Sequence, residues 1–387
     1  MQRYLILAAA VLMQVCLGAT YSWSVYVRPL RELTGLLQGP VQLPFTVFYF
    51  VFPATMLFAG SFLNRFGPRL CAITGGMLFG GGWLLASCGG SHFAFTVAGI
   101  GICAGLGAGF AYIVPIATCI RWFPERKGLV TGVAVAGFGG GAALVSQTAG
   151  WLMSSQAWSP FTTFAFFGLI FVCCIGLGGL LMRNPFEEGI AAVPGLALRE
   201  VVKKPQFALL YLAMITGLAA GFTVNANLKE LFPGSPVRTG VTAVACFALA
   251  NATGRIIWGM TADRLQALPA IRLNLAAQAL ALFSAPLILT GESGLVLFAL
   301  FTGFNYGGVL VLYAATVAGI WGYRHVGQVY GWLFSANIPA ALAPLLAGIV
   351  FDHTRSFSGF LQGLAMLLLI AIALTFRYGR LFHGTSR

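Results

Sequence analysis

The chain of 387 residues is 59% hydrophobic and only 8% charged, and its mean hydropathy is +0.88. Apolar runs of about 20 residues, the length that crosses a bilayer, recur along it and exclude a soluble globular domain. The 22 Lys and Arg against 9 Asp and Glu would suggest nucleic acid in a soluble protein, but here the cations lie mostly between the apolar runs. We therefore expect a multi-pass membrane protein, with the lipid bilayer and not nucleic acid as its partner.

The hydropathy pattern predicts an all-α membrane protein with twelve transmembrane helices. The first run begins like a secretory signal, but it continues into an aromatic segment and is too long for a cleavable leader. The predicted spans are residues 4–27, 41–63, 70–90, 93–120, 128–152, 160–182, 206–228, 239–262, 270–290, 294–320, 327–350 and 358–377.

The basic residues between the spans predict the orientation. With the N-terminus inside, the outer loops hold only five cations, Arg255 lies within a span, and the other sixteen lie on the inner side. The positive-inside rule then places both termini in the cytoplasm. We expect a prokaryotic inner-membrane protein and a monomer. The five outer cations are Arg28, Arg31, Lys229, Arg238 and Arg355.

The spans fall into two similar halves. A polar segment at residues 183–205 separates six spans from six, which predicts bundles at 1–182 and 206–387 with a cytoplasmic linker between them. The stretch "GSFLNRFGPR" from Gly60 matches "GMTADRLQAL" from Gly259 at an offset of 199 residues, and a second pair of loops keeps that offset. A constant offset at two equivalent loops indicates a duplicated bundle.

Small residues recur at every fourth position on two spans. Such rows give flat faces on which helices pack closely, and we expect this packing role in preference to phosphate binding. The rows are Gly101, Gly105 and Gly109 on the fourth span, and Gly128, Gly132, Ala136 and Gly140 on the fifth.

The sequence predicts neither a metal site nor a cofactor. The eight cysteines form no Cys-x-x-Cys motif, and the four histidines lie in predicted loops or in the tail. A membrane-embedded enzyme would need converging His, Asp or Glu side chains, and the predicted spans contain none of these. We therefore do not expect an enzyme.

The matching loops resemble the Gly-x-x-x-Asp-Arg pattern that follows the second and eighth helices of the major facilitator superfamily. Asn64 replaces the aspartate in the first copy, whereas Asp263 keeps it in the second. The resemblance covers the whole chain and implies a transporter of two six-helix bundles that works by alternating access. The residues it implies for gating are Asn64, Arg65, Asp263, Arg264, Arg126 and Lys127.

A narrower resemblance concerns the substrate. The stretch "RWFPERKGLVTGVAVAGFGGG" at 121–141 is similar to the fifth-helix entrance of monocarboxylate porters and of the oxalate:formate antiporter family, and "GATYSWSVY" at 18–26 is similar to the antiporter version of the first span. This resemblance implies transport of small carboxylates, coupled either to a proton or to exchange. We expect proton symport, with anion exchange and another solute carrier of the same fold as alternatives.

Arg255 is the predicted anchor for the substrate. It lies eight residues before Asp263, about 12 Å inside the end of its span, where a cation costs at least about 2.5–3.5 kcal/mol and arginine cannot lose its proton. Because no Asp or Glu lies inside a span, a substrate carboxylate held by two parallel hydrogen bonds is the predicted counter-ion. The carboxylate families also place their substrate arginine here. The alternative is a structural arginine bonded to backbone carbonyls.

Other predicted substrate contacts are polar or aromatic residues within spans. The phenols of Tyr21, Tyr112 and Tyr306 need hydrogen-bond partners at that depth. Phe138 and Asn337 are equivalent under the offset of 199, and Phe334 lies three residues before Asn337. These six residues complete a candidate set with Arg255 and one further amide, Asn251.

Two amides refine the expected chemistry. Asn251 stands where animal monocarboxylate porters have the aspartate thought to carry the proton, so that group is missing here. Asn337 aligns with a lysine of the oxalate exchanger, which leaves Arg255 as the one predicted cation at the substrate. One cation favours a monoanion, because a second carboxylate would be desolvated against an amide. We therefore expect lactate, pyruvate or formate in preference to oxalate.

Overall fold

All regular structure in the described part of the chain is helical, as the hydropathy pattern predicts. The computed structural model describes residues 2–36, 38–185, 198–228, 231, 237–322 and 326–378. Most of the predicted linker, residues 186–197, lies outside this range. Ten helices or joined helical runs of the described part are long and apolar enough to cross a membrane.

The chain forms two compact units. The first contains Met1–Phe123 and Ala134–Ala191, and the second contains Pro124–Val133 and Ala192–Arg387. The division predicted at 183–205 stays a prediction, because its boundary lies among residues that are not described.

The first unit holds the helices of the first half. Its first span is interrupted by a 3₁₀ turn at Gly18–Ser22, and its fourth passes through a π-helical stretch at Val97–Cys103. Its helices are α1 (Gln2–Leu17), α2 (Ser24–Thr34), α3 (Gln38–Ala86), α4 (Ala94–Thr96), α5 (Ala104–Trp122), most of α6 (Lys127–Ser155) and α7 (Pro160–Leu181).

The second unit holds the helices of the second half together with the first turns of α6. Its helices are α8 (Leu198–Val202), α9 (Pro205–Asn227), α10 (Val237–Leu265), α11 (Ala267–Ile288), α12 (Glu292–Trp321), α13 (Val326–Phe334), α14 (Asn337–Ala340), α15 (Ala343–Thr354) and α16 (Ser358–Arg377).

The predicted second and third spans are joined within α3 by a sharp kink at Gly67. Gly67 has φ 83° and ψ 167°, a backbone conformation that glycine adopts readily and other residues avoid. Pro68 follows, and its fixed φ and missing N–H suit the first turn of a helix. The stretch "GSFLNRFGPR" therefore turns the chain between two spans.

The second half repeats this kink without a glycine. Gln266, at the offset of 199 from Gly67, has φ 65° and ψ 155° between α10 and α11. That region of backbone space is nearly exclusive to glycine, and a side chain there costs about 1–3 kcal/mol. The two equivalent loops therefore share this conformation, although only the first has glycine at the position.

Gln266→Gly is therefore expected to stabilise the protein. The gain is up to about 1–2 kcal/mol, because relief of the strained backbone is partly offset by the greater freedom of glycine in the unfolded chain. Thermal unfolding of the purified full chain in detergent measures it. Gly67→Gln is the matched control and should destabilise the protein. Equal melting temperatures for parent and both variants would contradict the strain.

Glycines of the π-helical stretch and of α5 pack closely against α3, as the four-residue spacing predicts. A side chain at Gly101, Gly105 or Gly109 would collide with Val47, Val51 or Thr55 respectively. On α6 the prediction is only partly right. Gly128 and Gly132 are packed, but Gly140 has open space beside it, and Gly137 and Gly141 face the backbone of α1 instead.

The span predicted at 327–350 is not one continuous helix. It is divided into α13, α14 and α15, with turns at Ser335–Ala336 and Ala341–Leu342. Pro339 and Pro344 explain the interruptions, because proline removes a backbone donor and clashes with the preceding turn. The broken helix places Asn337 at the first position of α14.

Candidate functional site

Arg255 lies in the interior of α10 and is 2% exposed. Its Nε donates a hydrogen bond of 3.1 Å to Oδ1 of Asn251, one helical turn earlier. Asn251 is 7% exposed. Residues four apart lie on the same face of a helix, so the sequence itself brings this amide and this guanidinium together.

Glycines hold the α10 backbone around this pair against α12. A side chain at Gly307 would meet the Asn251 carbonyl and the Arg255 amide nitrogen, and a side chain at Gly254 would meet the Phe304 carbonyl. Helices approach this closely only where no Cβ intervenes. The backbone that carries Arg255 is therefore fixed by packing.

Tyr306 lies next to Gly307 on α12 and is buried. Its ring packs between Phe222 and Phe247, with centroid distances of 5.8 and 6.0 Å, and the ring lies directly against Gly221. Phe247 is one turn before Asn251 on α10. Tyr306 thus belongs to the same α10–α12 contact as Arg255.

Two of the predicted substrate contacts, Phe334 at the end of α13 and Asn337 at the start of α14, contact residues near them in the sequence. Phe334 is buried with its ring 5.9 Å from that of Tyr330. Asn337 is half-buried, and its Nδ2 donates a 2.7 Å hydrogen bond to the Phe334 carbonyl. These two residues are therefore close, although a turn and not a continuous helix connects them.

The acid nearest to Arg255 along the chain is engaged elsewhere. Asp263 accepts 2.8 Å hydrogen bonds from the backbone N–H groups of Gly128 and Leu129, one to each carboxylate oxygen. A carboxylate at a helix N-terminus is stabilised by these unpaired N–H groups and by the helix dipole. Asp263 therefore caps the first turn of α6.

The contact between α6 and α10 continues from Asp263 toward Arg255. Gly128 lies against the Gly259 backbone, and Gly132 lies against the Arg255 carbonyl. Arg255, Gly259 and Asp263 are spaced by four and form one stripe of α10. The stripe physically connects a predicted gating residue with the predicted anchor.

The other predicted gating residues are at the surface of their units. Asn64 is exposed, and the Arg65 guanidinium lies 5.2 Å from the centroid of the neighbouring Phe66 ring. Arg126 and Arg264 are exposed and Lys127 is half-buried. Asp263 contacts α6 through its hydrogen bonds to Gly128 and Leu129. Lys127 is the first residue of that helix.

Three predicted residues of the first unit form one aromatic cluster. The Phe138 ring meets Tyr21 and Tyr112 edge-on, at 5.1 and 5.6 Å between centroids. Tyr21 lies in the 3₁₀ turn and stacks on Tyr49 at 5.7 Å. Gly18 of that turn lies against the Phe138 carbonyl.

Sequence reasoning missed three members of this neighbourhood. Tyr49 stacks on Tyr21, Phe52 lies 5.3 Å from Tyr112, and Gln14 donates from Nε2 to the Tyr112 carbonyl at 3.3 Å. The offset of 199 could have found Phe52, since it is the counterpart of Asn251. Nothing in the spacing distinguished Tyr49 from the many neighbouring aromatics.

The two halves differ at the positions of the amide and the arginine. Phe52 and Met56, the counterparts of Asn251 and Arg255, are both buried. The first unit is therefore aromatic and apolar where the second is polar and cationic.

The Major Facilitator Superfamily model matches residues 5–344. This chain belongs to the major facilitator superfamily. The superfamily consists of transporters, so the protein is a membrane transporter and not an enzyme.

Individual superfamily members are similar to this chain at low identity. The oxalate:formate antiporter of Oxalobacter formigenes is 25% identical over 351 residues, covering 88% of this chain and 82% of that protein. Monocarboxylate transporter 13 of Bos taurus is 25% identical over 314 residues, covering 78% and 70%. The Escherichia coli fucose:proton symporter shares the fold, with a TM-score of 0.75 at 13% identity over 96% of this chain and 98% of that one.

Proposed function

We propose that this superfamily member carries short monocarboxylates of the lactate, pyruvate or formate type across a prokaryotic inner membrane, with both termini in the cytoplasm. The observation that supports this most is Arg255, a buried guanidinium whose backbone is fixed by the α10–α12 glycine contacts. A guanidinium offers two parallel donors that match a carboxylate. The named relatives, an oxalate:formate antiporter and a monocarboxylate transporter, support the same substrate class.

The remaining site residues are proposed by unit. In the second unit, Tyr306, Asn251, Asn337 and Phe334 accompany Arg255, and in the first unit Tyr21, Tyr112 and Phe138 supply aromatic surface with two phenols. A short acid with one carboxylate and an apolar or hydroxyl end suits such groups, because the charge pairs with the cation and the remainder contacts rings.

Two forms of coupling are proposed. Proton symport is the first form, with one proton accompanying each acid. Anion exchange is the second form and is favoured by one observation: the hydrogen-bond acceptor for Arg255 Nε is an amide, which cannot titrate. Because no Asp or Glu lies within the spans predicted from the sequence, moving the guanidinium through the membrane without a bound anion would be costly.

Uptake into proteoliposomes tests the function and the coupling together. Labelled lactate, pyruvate, formate and oxalate are offered to vesicles that are either empty or preloaded with unlabelled lactate, with and without an inward proton gradient. We expect monocarboxylates to exceed oxalate. A proton gradient that drives uptake into empty vesicles supports symport, and uptake that requires preloading supports exchange. If none of the acids enters by either route, the proposed function is wrong.

A further inference from the structure

Two cysteines meet at the contact between α1 and α7, which both belong to the first unit. A side chain at Gly178 of α7 would collide with the Met13 side chain of α1, so the two helices approach closely there. Cys174 lies one turn before Gly178, and Cys16 lies one turn after Met13. Residues three or four apart share a face of a helix, so both cysteines lie on the contacting faces. Their thiols are within hydrogen-bonding reach of each other.

This thiol pair differs from the other cysteines that the structure describes. The Cys71 thiol donates a 3.3 Å hydrogen bond to the Phe110 carbonyl, so its partner is the backbone. Cys173 precedes Cys174 directly in the sequence but is exposed, because adjacent residues of a helix point in different directions. The chain thus offers an interacting thiol and an outward thiol side by side on α7.

The pair is accessible from the lipid side of α7. This helix is long and apolar enough to cross a membrane, and Cys173 belongs to a stripe of exposed residues along it. Cys174 is half-buried at the edge of that stripe, whereas Cys16 is buried behind it. A reagent that reaches the pair by this route must dissolve in hydrocarbon. The other members of the stripe are Phe166, Leu169, Leu177 and Leu180.

We propose that Cys16 and Cys174 form a redox modification site, at which a lipid-soluble two-electron oxidant converts the two thiols into a disulfide that ties α1 to α7. Each thiol loses its proton and one electron, and the two sulfur atoms join. The oxidant accepts both electrons; a quinone, for example, also takes up the two protons and leaves as the hydroquinone. The dithiol and the disulfide are both uncharged, so neither state places a charge in the interior of the bilayer.

The disulfide would lie next to the interruption of the first span. The 3₁₀ turn Gly18–Ser22 begins two residues after Cys16 and carries Tyr21, one of the predicted substrate contacts. A covalent link at Cys16 would hold the α1 backbone to α7 directly before this turn and restrict its adjustment around a substrate. We therefore expect oxidation to slow transport. This consequence rests on the proposed function, whereas the modification site itself does not.

The experiment oxidises the purified full-length protein in lipid vesicles. Molecular iodine is the apolar two-electron oxidant and leaves as two iodide ions, while the two protons pass to the solvent. Tetrathionate, a charged oxidant, is the comparison. Free thiols are counted by mass after denaturation and alkylation, and crosslinked peptides are identified. The parent is compared with Cys16→Ala and Cys174→Ala, and Cys173→Ala is the matched control.

We expect iodine to remove two of the eight thiols of the parent and to yield one crosslinked pair, Cys16 with Cys174. Cys173→Ala should give the same crosslink, whereas Cys16→Ala and Cys174→Ala should give none. A crosslink from Cys16 to Cys173, or oxidation of Cys173 without any crosslink, would overturn the proposal. Equally fast crosslinking by tetrathionate would contradict the route through lipid.

Thermal unfolding provides a second readout that needs no substrate. The disulfide joins residues far apart in the sequence and so restricts the unfolded chain, which should raise the melting temperature by several degrees. Dithiothreitol should reverse the gain, and iodine should produce none in Cys174→Ala. An unchanged melting temperature in fully crosslinked parent would show that the link strains the contact between α1 and α7, against the proposed geometry.

Uptake of labelled lactate tests the consequence for transport. Oxidation should reduce uptake by the parent and by Cys173→Ala, reduction should restore it, and Cys174→Ala should be insensitive to both treatments. Undiminished uptake by crosslinked protein would refute the effect on transport. If the reduced parent carries no acid, the proposed function fails, whereas the crosslink and the melting temperature still decide the modification site.

Discussion

Arg255→Lys is expected to leave the protein folded and to reduce monocarboxylate affinity by roughly 10- to 100-fold, with a matching loss of transport. The ammonium keeps the charge but loses the flat fork that makes two parallel hydrogen bonds, and each charge-assisted bond is worth about 1.5–3 kcal/mol. The substitution also removes Nε, which donates a hydrogen bond to the Asn251 amide oxygen. Unlike a guanidinium, a buried ammonium can lose its proton.

The measurement is equilibrium binding to purified protein, followed by uptake into vesicles reconstituted with equal amounts of parent and variant. Arg272→Lys is the matched control, because Arg272 donates to Thr375 of α16 at 3.2 Å and belongs to the same unit. This control should bind lactate as the parent does. Parental affinity in Arg255→Lys, with normal membrane levels, would refute Arg255 as the anchor.

Periodicity and repetition in the sequence predicted much of the fold. Regular spacing of small residues predicted the seam of Gly101, Gly105 and Gly109, because in a helix every fourth residue shares a face whatever the tertiary context. The offset of 199 paired Gly67 with Gln266, and both have the same unusual backbone conformation. Such features depend on local geometry alone.

Local interruptions were not predicted. The 3₁₀ turn that carries Tyr21 and the π-helical stretch at Val97–Cys103 leave no mark in hydropathy, because an apolar run reads the same whether its hydrogen bonds span three, four or five residues. Pro339 did signal the break before α14, and Pro344 the break before α15, since proline disturbs the preceding helical turn. The predicted continuous span overlooked both signals.

The contacts among the candidate residues also divide into those that follow from local helix geometry and those that do not. The contact of Arg255 with Asn251 follows from a spacing of four on one helix, so the sequence was sufficient. The meeting of Tyr21, Tyr112 and Phe138 joins three segments separated in sequence, and Tyr49 enters only through packing. Ring geometry of that kind depends on tertiary approach, which no single-helix pattern encodes.

The difference between the halves bears on function. Duplication alone would give both units the same side chains, yet Phe52 and Met56 occupy the positions of Asn251 and Arg255. Among the described residues, the second unit has a buried cation at this place whereas the first unit has Phe52 and Met56, so the duplicated position supplies one positive charge to an anion and not two. A dianion would need a second cation, and this requirement makes Asn337 the informative position.

Asn337→Lys is expected to shift preference from monocarboxylates toward oxalate. With a monoanion bound, the added ammonium would be uncompensated in a poorly solvated space, so lactate binding should fall. With oxalate, Arg255 and the new lysine would each have a carboxylate, so binding should improve. We expect the ratio of oxalate to lactate affinity to rise by about tenfold or more, the worth of one charge-assisted hydrogen bond.

A lysine at position 337 can replace the hydrogen bond that Asn337 makes, and an uncharged side chain at the same position provides the control. Asn337 Nδ2 donates to the Phe334 carbonyl at the end of α13, and an ammonium can also donate there, where the helix dipole favours a cation. Asn337→Met replaces the amide by an unbranched, uncharged side chain of nearly the length of lysine, so it should leave the ratio at its parental value. A folding defect lowers both affinities together, whereas the predicted effect separates them. If the ratio does not rise in Asn337→Lys, the added charge does not reach the substrate, and the preference for a monoanion loses its main support.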